Sequence, residues 1–266
     1  MKLMFIIIGI YLASTFHCSY YDHGFPYDFE KADNQIVLEA ELDEISGLSY
    51  AEGNKLYAVQ DEKGVIYQID WTNKKSKAIV EFKKSGDFEG IIKTGQNFYV
   101  LESDGDIFKV DKSGEYQKYD FIEKDNDYEF EGICLHPDGK RLLIVCKNHS
   151  KKKENAYLWI YAFDISANQY EKEAFLKIAK DNFHDKFKAS GISISDQNNL
   201  VVLSASTNSI IELDLQGKLL NKAQLPFITY PQAEGICFSP DGDLIIASEK
   251  NEFLYAKIIR LEKNEE

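Results

Sequence analysis

Cysteine is scarce in this chain: four occur in 266 residues, at positions 18, 134, 146 and 237, and no two form a CxxC pair. A disulfide-dense scaffold is therefore excluded. The five histidines (17, 23, 136, 149 and 184) show no ligand spacing, which removes zinc as well. Basic residues are also in deficit, 31 against 44 acids, for a formal charge of −13. Polyanions demand clustered Lys and Arg, so no nucleic-acid partner is expected. Apart from one N-terminal stretch there is no long apolar run, and bilayer spans need roughly 20 such residues. P-loop and dinucleotide fingerprints are missing, and GISISD at Gly191 lacks the second glycine of a nucleophile elbow. DNDYE at Asp125 starts like a calcium loop, but Phe130 stands where that loop requires glycine.

What is present begins with the N-terminus. MKLMFIIIGIYLAS has one early Lys2 and an apolar run from Leu3 to about Ala13, the proportions of a signal peptide, taken as residues 1–17. Cys18 follows where a lipoprotein carries its lipid-accepting cysteine, although His17 replaces the usual small neighbour. The expectation is an exported, cell-envelope lipoprotein that meets the membrane only through a lipid anchor, with residues 18–33 as a tether. Cys134, Cys146 and Cys237 each sit in an apolar run and are expected as buried thiols.

The rest of the chain repeats. Five segments align on a glycine: EISGLSY, DFEGIIK, EFEGICL, KASGISI and QAEGICF, with Gly47, Gly90, Gly132, Gly191 and Gly235 separated by 43, 42, 59 and 44 residues. That length holds four short strands and their turns. The long unit carries the charged insertion NHSKKKEN at 148–155. Second strands follow as KLYAVQ, NFYVLE, RLLIVCK, LVVLSAS and LIIASE, and third strands as VIYQID, DIFKVD, LWIYAFD, SIIELD and FLYAKIIRL. HPDG and SPDG have the residues of type I turns, and ESDGDI those of a hairpin turn at Asp104-Gly105.

Fourth strands read as KAIVEF, YQKYDF, KEAFLKI and LLNKAQL, but the last unit runs out in EKNEE. A spare strand, QIVLEAEL at Gln35–Leu42, precedes the first unit. If it completes the last blade, the ring closes without an open sheet edge. The reading is an all-β, five-bladed propeller over residues 34–262, monomeric, with a tail at 263–266.

In a propeller the inner strands line the axis, so equivalent positions form rings. The residue before each glycine is Ser46, Glu89, Glu131, Ser190 or Glu234. Three crowded carboxylates repel unless a proton, a lysine or a bound cation offsets them. An all-oxygen ring suits Ca2+. Equally, these side chains could hydrogen-bond the next blade and tie the ring together. A second ring, at the ends of the second strands, would collect Asp61, Glu102, Lys147, Ser204 and Glu249.

EISGLSY, DFEGI, FEGICL, ASGISI, QAEGICFSPDG and the ASEKN that follows, in this order, resemble the SdiA-regulated (YjiK-like) family of exported, distantly NHL-repeat-like propellers, over roughly residues 35–261. The resemblance implies five blades and a calcium site, with Glu89, Glu131 and Glu234 on the motif acids, and it names no reaction. Two functions follow as expectations. One is a calcium-binding, non-catalytic module that takes a protein or small-molecule ligand on one face. The other is a calcium-dependent hydrolase of the lactonase or phosphoesterase type. Ser190 in place of an asparagine, and Lys147 beside the ring, count against the second.

Overall fold

Continuous apolar strands such as RLLIVC at 141–146 have no polar face to give to water, so both faces must be covered. A ring of blades does this. The computed structural model describes residues 24–123 and 127–264, and among these it places five sheets around one axis. Blade one is built from Ile45–Ala51, Lys55–Gln60, Gly64–Asp70 and Lys75–Lys83, all antiparallel neighbours. Blades two and four repeat this order from Phe88–Thr94 and from Gly191–Ile194. Blade three has Glu129–Leu135, Arg141–Asn148 and Tyr157–Asp164. Its expected fourth strand, KEAFLKI, forms only at Leu176–Ala179, and a two-residue strand, Gln169–Tyr170, precedes it, both paired to the third.

Blade five has three strands of its own, Ala233–Phe238, Leu244–Ser248 and Lys257–Leu261, and Gln35–Val37 completes it. The closing strand is shorter than expected, because the chain turns through a 3-10 segment at Ala40–Leu42 to enter blade one. The third strand of this blade also starts late. Asn251 Oδ1 accepts from the amides of Phe253 and Leu254, and that turn keeps FLYA out of the sheet.

Side chains alternate across each strand, so every blade feeds two cores. Leu142, Ile144 and Cys146 pack toward blade two. Leu143 and Val145 pack toward blade four. Five such clusters fill the five seams, and the seam between blades five and one contains Ile36 of the closing strand. The three described cysteines are buried, unbonded thiols.

The turns follow their residues. Gly139 and Gly242 donate their amides to the His136 and Ser239 carbonyls, closing the two Pro-Asp-Gly turns. Asp70, Asp111, Asp164 and Asp214, which end four third strands, each accept backbone amides of the following turn. This recurring aspartate is a turn device.

Residues 1–17 and Cys18 lie outside the described residues. The stretch expected as a tether packs onto the propeller from Phe25 onward. Phe25, Tyr27 and Phe29 are buried in the seam of blades four and five, and the Tyr27 hydroxyl donates to the Gly242 carbonyl at 2.7 Å. The start of the tail is held as well, by Asn264 N donating to Pro26 O at 2.8 Å.

Candidate functional site at the blade axis

The inner strands run in one sense, and their starts define a mouth at one end of the axis. Just there the strand pairing slips in four blades: between Ile45 and Gly47, Phe88 and Gly90, Phe130 and Gly132, and Ala233 and Ile236. The bulged residues include Ser46, Glu89, Glu131 and Glu234. A bulge leaves one residue unpaired and re-aims its side chain. With Gly191 of blade four, these residues line a channel of about 10 Å³, space for about one water.

The glycines make the channel this narrow. A Cβ on Gly47 would lie 2.8 Å from Gly90 Cα, one on Gly191 would lie 2.1 Å from Glu234 O, and one on Gly235 would lie 2.9 Å from Leu48. Each inner strand therefore rests backbone-first against the next.

The two serines and the three glutamates behave differently. Ser46 Oγ donates to Phe88 O at 2.5 Å and Ser190 Oγ to Ala233 O at 2.6 Å, tying blade one to two and blade four to five. No backbone amide of the described residues reaches the three carboxylates. Lys147 Nζ donates to Glu131 Oε1 at 2.5 Å. Glu89 shares a hydrogen bond with Asp87; burial, then the charges of Glu131 and Asp87, push its carboxyl up to about 9. Burial also raises Glu131, with Lys147 opposing. Glu234 is only 8% exposed, and neither hydrogen bond nor ion pair reaches it from the described residues. Burial, together with Glu131, Glu249 and Glu89, holds its carboxyl far above the ordinary range.

The expected second ring is out of phase. Pairing places Val59 opposite Gly47, Leu101 opposite Gly90, Val145 opposite Gly132 and Leu203 opposite Gly191. The next residues, Gln60, Glu102, Cys146, Ser204 and Ser248, are thus equivalent. Asp61, Lys147 and Glu249 stand one residue further on, beside Ser103 and Ala205. One residue reverses the face of a strand. Glu102 accordingly turns away, to Lys83 Nζ at 2.5 Å, and Ser204 is absorbed in its own connection by Thr207 and Lys188 N.

The members of the true set face the axis. Ser103 Oγ donates to Asp87 Oδ2 at 2.5 Å, and Ala205 N donates to Ser190 Oγ at 3.0 Å. Burial, Asp61 and Glu44 raise Glu249 to about 8. Burial and the neighbouring Glu44 raise Asp61 to about 6.

Sequence reasoning found the turn at ESDGDI but passed over the approach of its acids. Glu102, Asp104 and Asp106 bring one oxygen each within 4.8 Å of one another, the one group of three acids that close to this extent among the described residues. It occupies the expected Asp104-Gly105 hairpin, where Gly105 N donates to Glu102 O at 2.9 Å. Lys83 holds Glu102 and Lys118 holds Asp106, so the turn already has two counter-ions. The axial three stay further apart, with Lys147 among them.

This fold and ring define a five-bladed β-propeller with an acidic axial mouth. The chain belongs to the SdiA-regulated family, which matches residues 26–257. No curated protein matches it. Among solved structures it is similar to regucalcin of Agrobacterium tumefaciens, described as a calcium-binding protein, at 12% identity and TM-score 0.54, covering 91% of this chain and 96% of that one. It is also similar to a luciferin-regenerating enzyme, at 13% identity and TM-score 0.53 over 85% and 94% of the two chains. A streptogramin B lyase follows at 13% and 0.52 over 86% and 97%. At these identities the likeness shows the fold alone.

Proposed function

We propose that the protein is a non-catalytic binding module of the cell envelope whose axial carboxylates hold Ca2+. Glu234 carries this reading. A carboxylate nine-tenths buried, with no donor among the described residues and only the charge of Lys147, which is paired to Glu131, to oppose its acidic neighbours, is costly unless a proton or a cation compensates it. The donor set around it is oxygen only, which suits a hard cation. Glu89, Glu131 and Glu234 would hold the ion, with Glu249 from the next ring. The bound ion supplies the positive charge that the crowded ring lacks. Lys147 must release Glu131 for this, since the ring oxygens do not converge while its ammonium stands among them.

That lysine favours binding over hydrolysis. A resident counter-charge means that the ion is held only when Lys147 withdraws, which suits reversible binding better than a permanently loaded hydrolytic centre. The calcium named for regucalcin agrees with the reading but does not carry it.

Calorimetry and thermal melting of the chelator-treated protein test the proposal. Ca2+ is expected to release or absorb heat saturably and to raise the melting temperature, and Glu234→Gln to abolish both. Absence of heat and of any shift sinks it. A panel of lactones and phosphoesters is expected to show no turnover. Turnover that disappears in Glu131→Gln would replace the binding module by a hydrolase.

A further inference from the structure

The four most exposed large apolar side chains among the described residues are Phe253 (83%), Ile228 (77%), Tyr255 (72%) and Phe227 (60%). Strand pairing puts all four at the same end of the molecule. Gln224, the last residue of blade four's outer strand, pairs with Ser209, which pairs with Ser204. Residues 225–232 therefore cross at the mouth end to the start of blade five's inner strand at Ala233. Ala233 in turn pairs with Ser248, and Ser248 with Lys257. The connection 249–256 is thus at the mouth end too. The first connection leads into blade five and the second lies within it, and they are tied together by Glu249 N donating to Gln232 O at 3.0 Å and Gln232 Nε2 to Glu249 Oε2 at 2.7 Å.

Large apolar groups gathered at one end mark a docking surface more than scattered exposure does. Their surroundings say what would dock. Glu252 and Glu44 are exposed beside them, as is Glu41 on the chain that leaves the closing strand, while Asp43 and Glu249 are half-buried. Lys250, the cation of this connection, is already paired to Asp43 at 2.6 Å. A surface of aromatic rings among five acids, with one lysine of this connection to offset them, complements apolar side chains set among bases. Anionic lipid is opposed on the same grounds. It is opposed by direction as well, because the chain enters the fold at the other end of the axis, where Tyr27 meets the turn carbonyl of Gly242.

We infer that the mouth end of blade five is a docking surface for a polypeptide segment that carries apolar side chains among lysines or arginines. The inference does not depend on calcium, and its test runs in chelator and in Ca2+ alike. The probe is a fluorescent amphipathic peptide of Leu and Lys, with a counterpart of Leu and Glu, titrated against the full chain by anisotropy. The Leu/Lys peptide is expected to bind saturably and more weakly at high salt, and the Leu/Glu peptide not to bind. Ile228→Ser with Phe253→Ser is expected to weaken binding at least about tenfold at an unchanged melting temperature. Glu252→Lys is expected to weaken it through charge alone.

Four results would overturn the inference. They are no binding, equal binding of both peptides, binding untouched by the double substitution, or an effect of Glu252→Lys that salt leaves in place. Capture by anionic vesicles that the double substitution abolishes would assign the surface to membrane instead. Dimerisation abolished by the same substitution would assign it to a second copy of the chain.

Discussion

The ammonium of Lys147 stands 2.5 Å from Glu131 Oε1, the one ion pair that reaches the axial ring among the described residues. It belongs to the second strand of blade three and compensates a carboxylate of the first strand of the same blade. Lys147→Met removes this counter-charge and leaves Glu131 buried without a partner. In chelator the variant is expected to lose about 1–3 kcal/mol of stability by urea unfolding. With the competitor gone, Ca2+ is expected to bind about tenfold tighter or better by calorimetry. Unchanged affinity would separate Lys147 from the ion site.

The carboxyls of the mouth make stability depend on pH. Glu89 is pushed up to about 9 and Glu249 to about 8, chiefly by burial. The unfolded chain releases those protons near an ordinary carboxylate value of about 4.3, whereas the folded chain keeps them. Over the interval between, the folded state binds more protons, so stability falls as pH rises, by up to about 1.4 kcal/mol per pH unit for each group. Melting temperature in chelator should decline between about pH 5 and 9. Saturating Ca2+ should flatten the decline, because the ion replaces the protons. A flat profile in chelator contradicts the buried ring.

Gly191 tests the contact between inner strands. Its missing Cβ would lie 2.1 Å from Glu234 O, a backbone atom that cannot swing aside. Gly191→Ala is expected to cost about 3 kcal/mol or more, at the upper end of overpacking. Gly53→Ala serves as control, since nothing lies within 4 Å of that site. Its positive φ of 72° should make the loss small but real. Chemical denaturation of the two side by side checks the ranking.

The closing strand should matter beyond its length. Ile36 is 3% exposed and packs in the seam of blades five and one. Ile36→Ala is expected to cost about 2–4 kcal/mol in urea unfolding. Ile36→Asp should open the ring and expose the edge of Lys257–Leu261 to other chains, seen as concentration-dependent aggregation.

Much of the fold was legible because a propeller repeats. Five glycines at near-constant spacing, apolar runs too short for helices, and one spare strand at the start for the one that the last unit lacks leave few other closures. The candidate site was legible only in part. Ser46 and Ser190 could not be told from ligands by sequence, and they proved to be blade ties because a neighbouring carbonyl lies within reach of each hydroxyl. The second ring was misphased: Glu102 and Ser204 lie at the ends of their second strands as Lys147 and Glu249 do, and one residue of register separates them. The acids of ESDGDI were read correctly as a turn, but their mutual approach and their two lysine partners depend on outer strands that no local pattern aligns.

The sequence alone determined the number of blades, the strand that closes them, the turn aspartates and the three acids at the heads of the inner strands, because these follow from a repeat carried along the whole chain and from turn chemistry local to each position. Tertiary structure decided the rest. It was the bulges that turned Glu89, Glu131 and Glu234 inward, the register that sent Lys147 to the axis and Glu102 away, and the docking of one blade on the next that left Glu234 buried with no hydrogen-bond partner among the described residues. The physical reason is common to all three: a side chain's direction in a sheet reverses with every residue, so where it points, and what it meets there, is set by the pairing partner across the sheet and the backbone of the next blade.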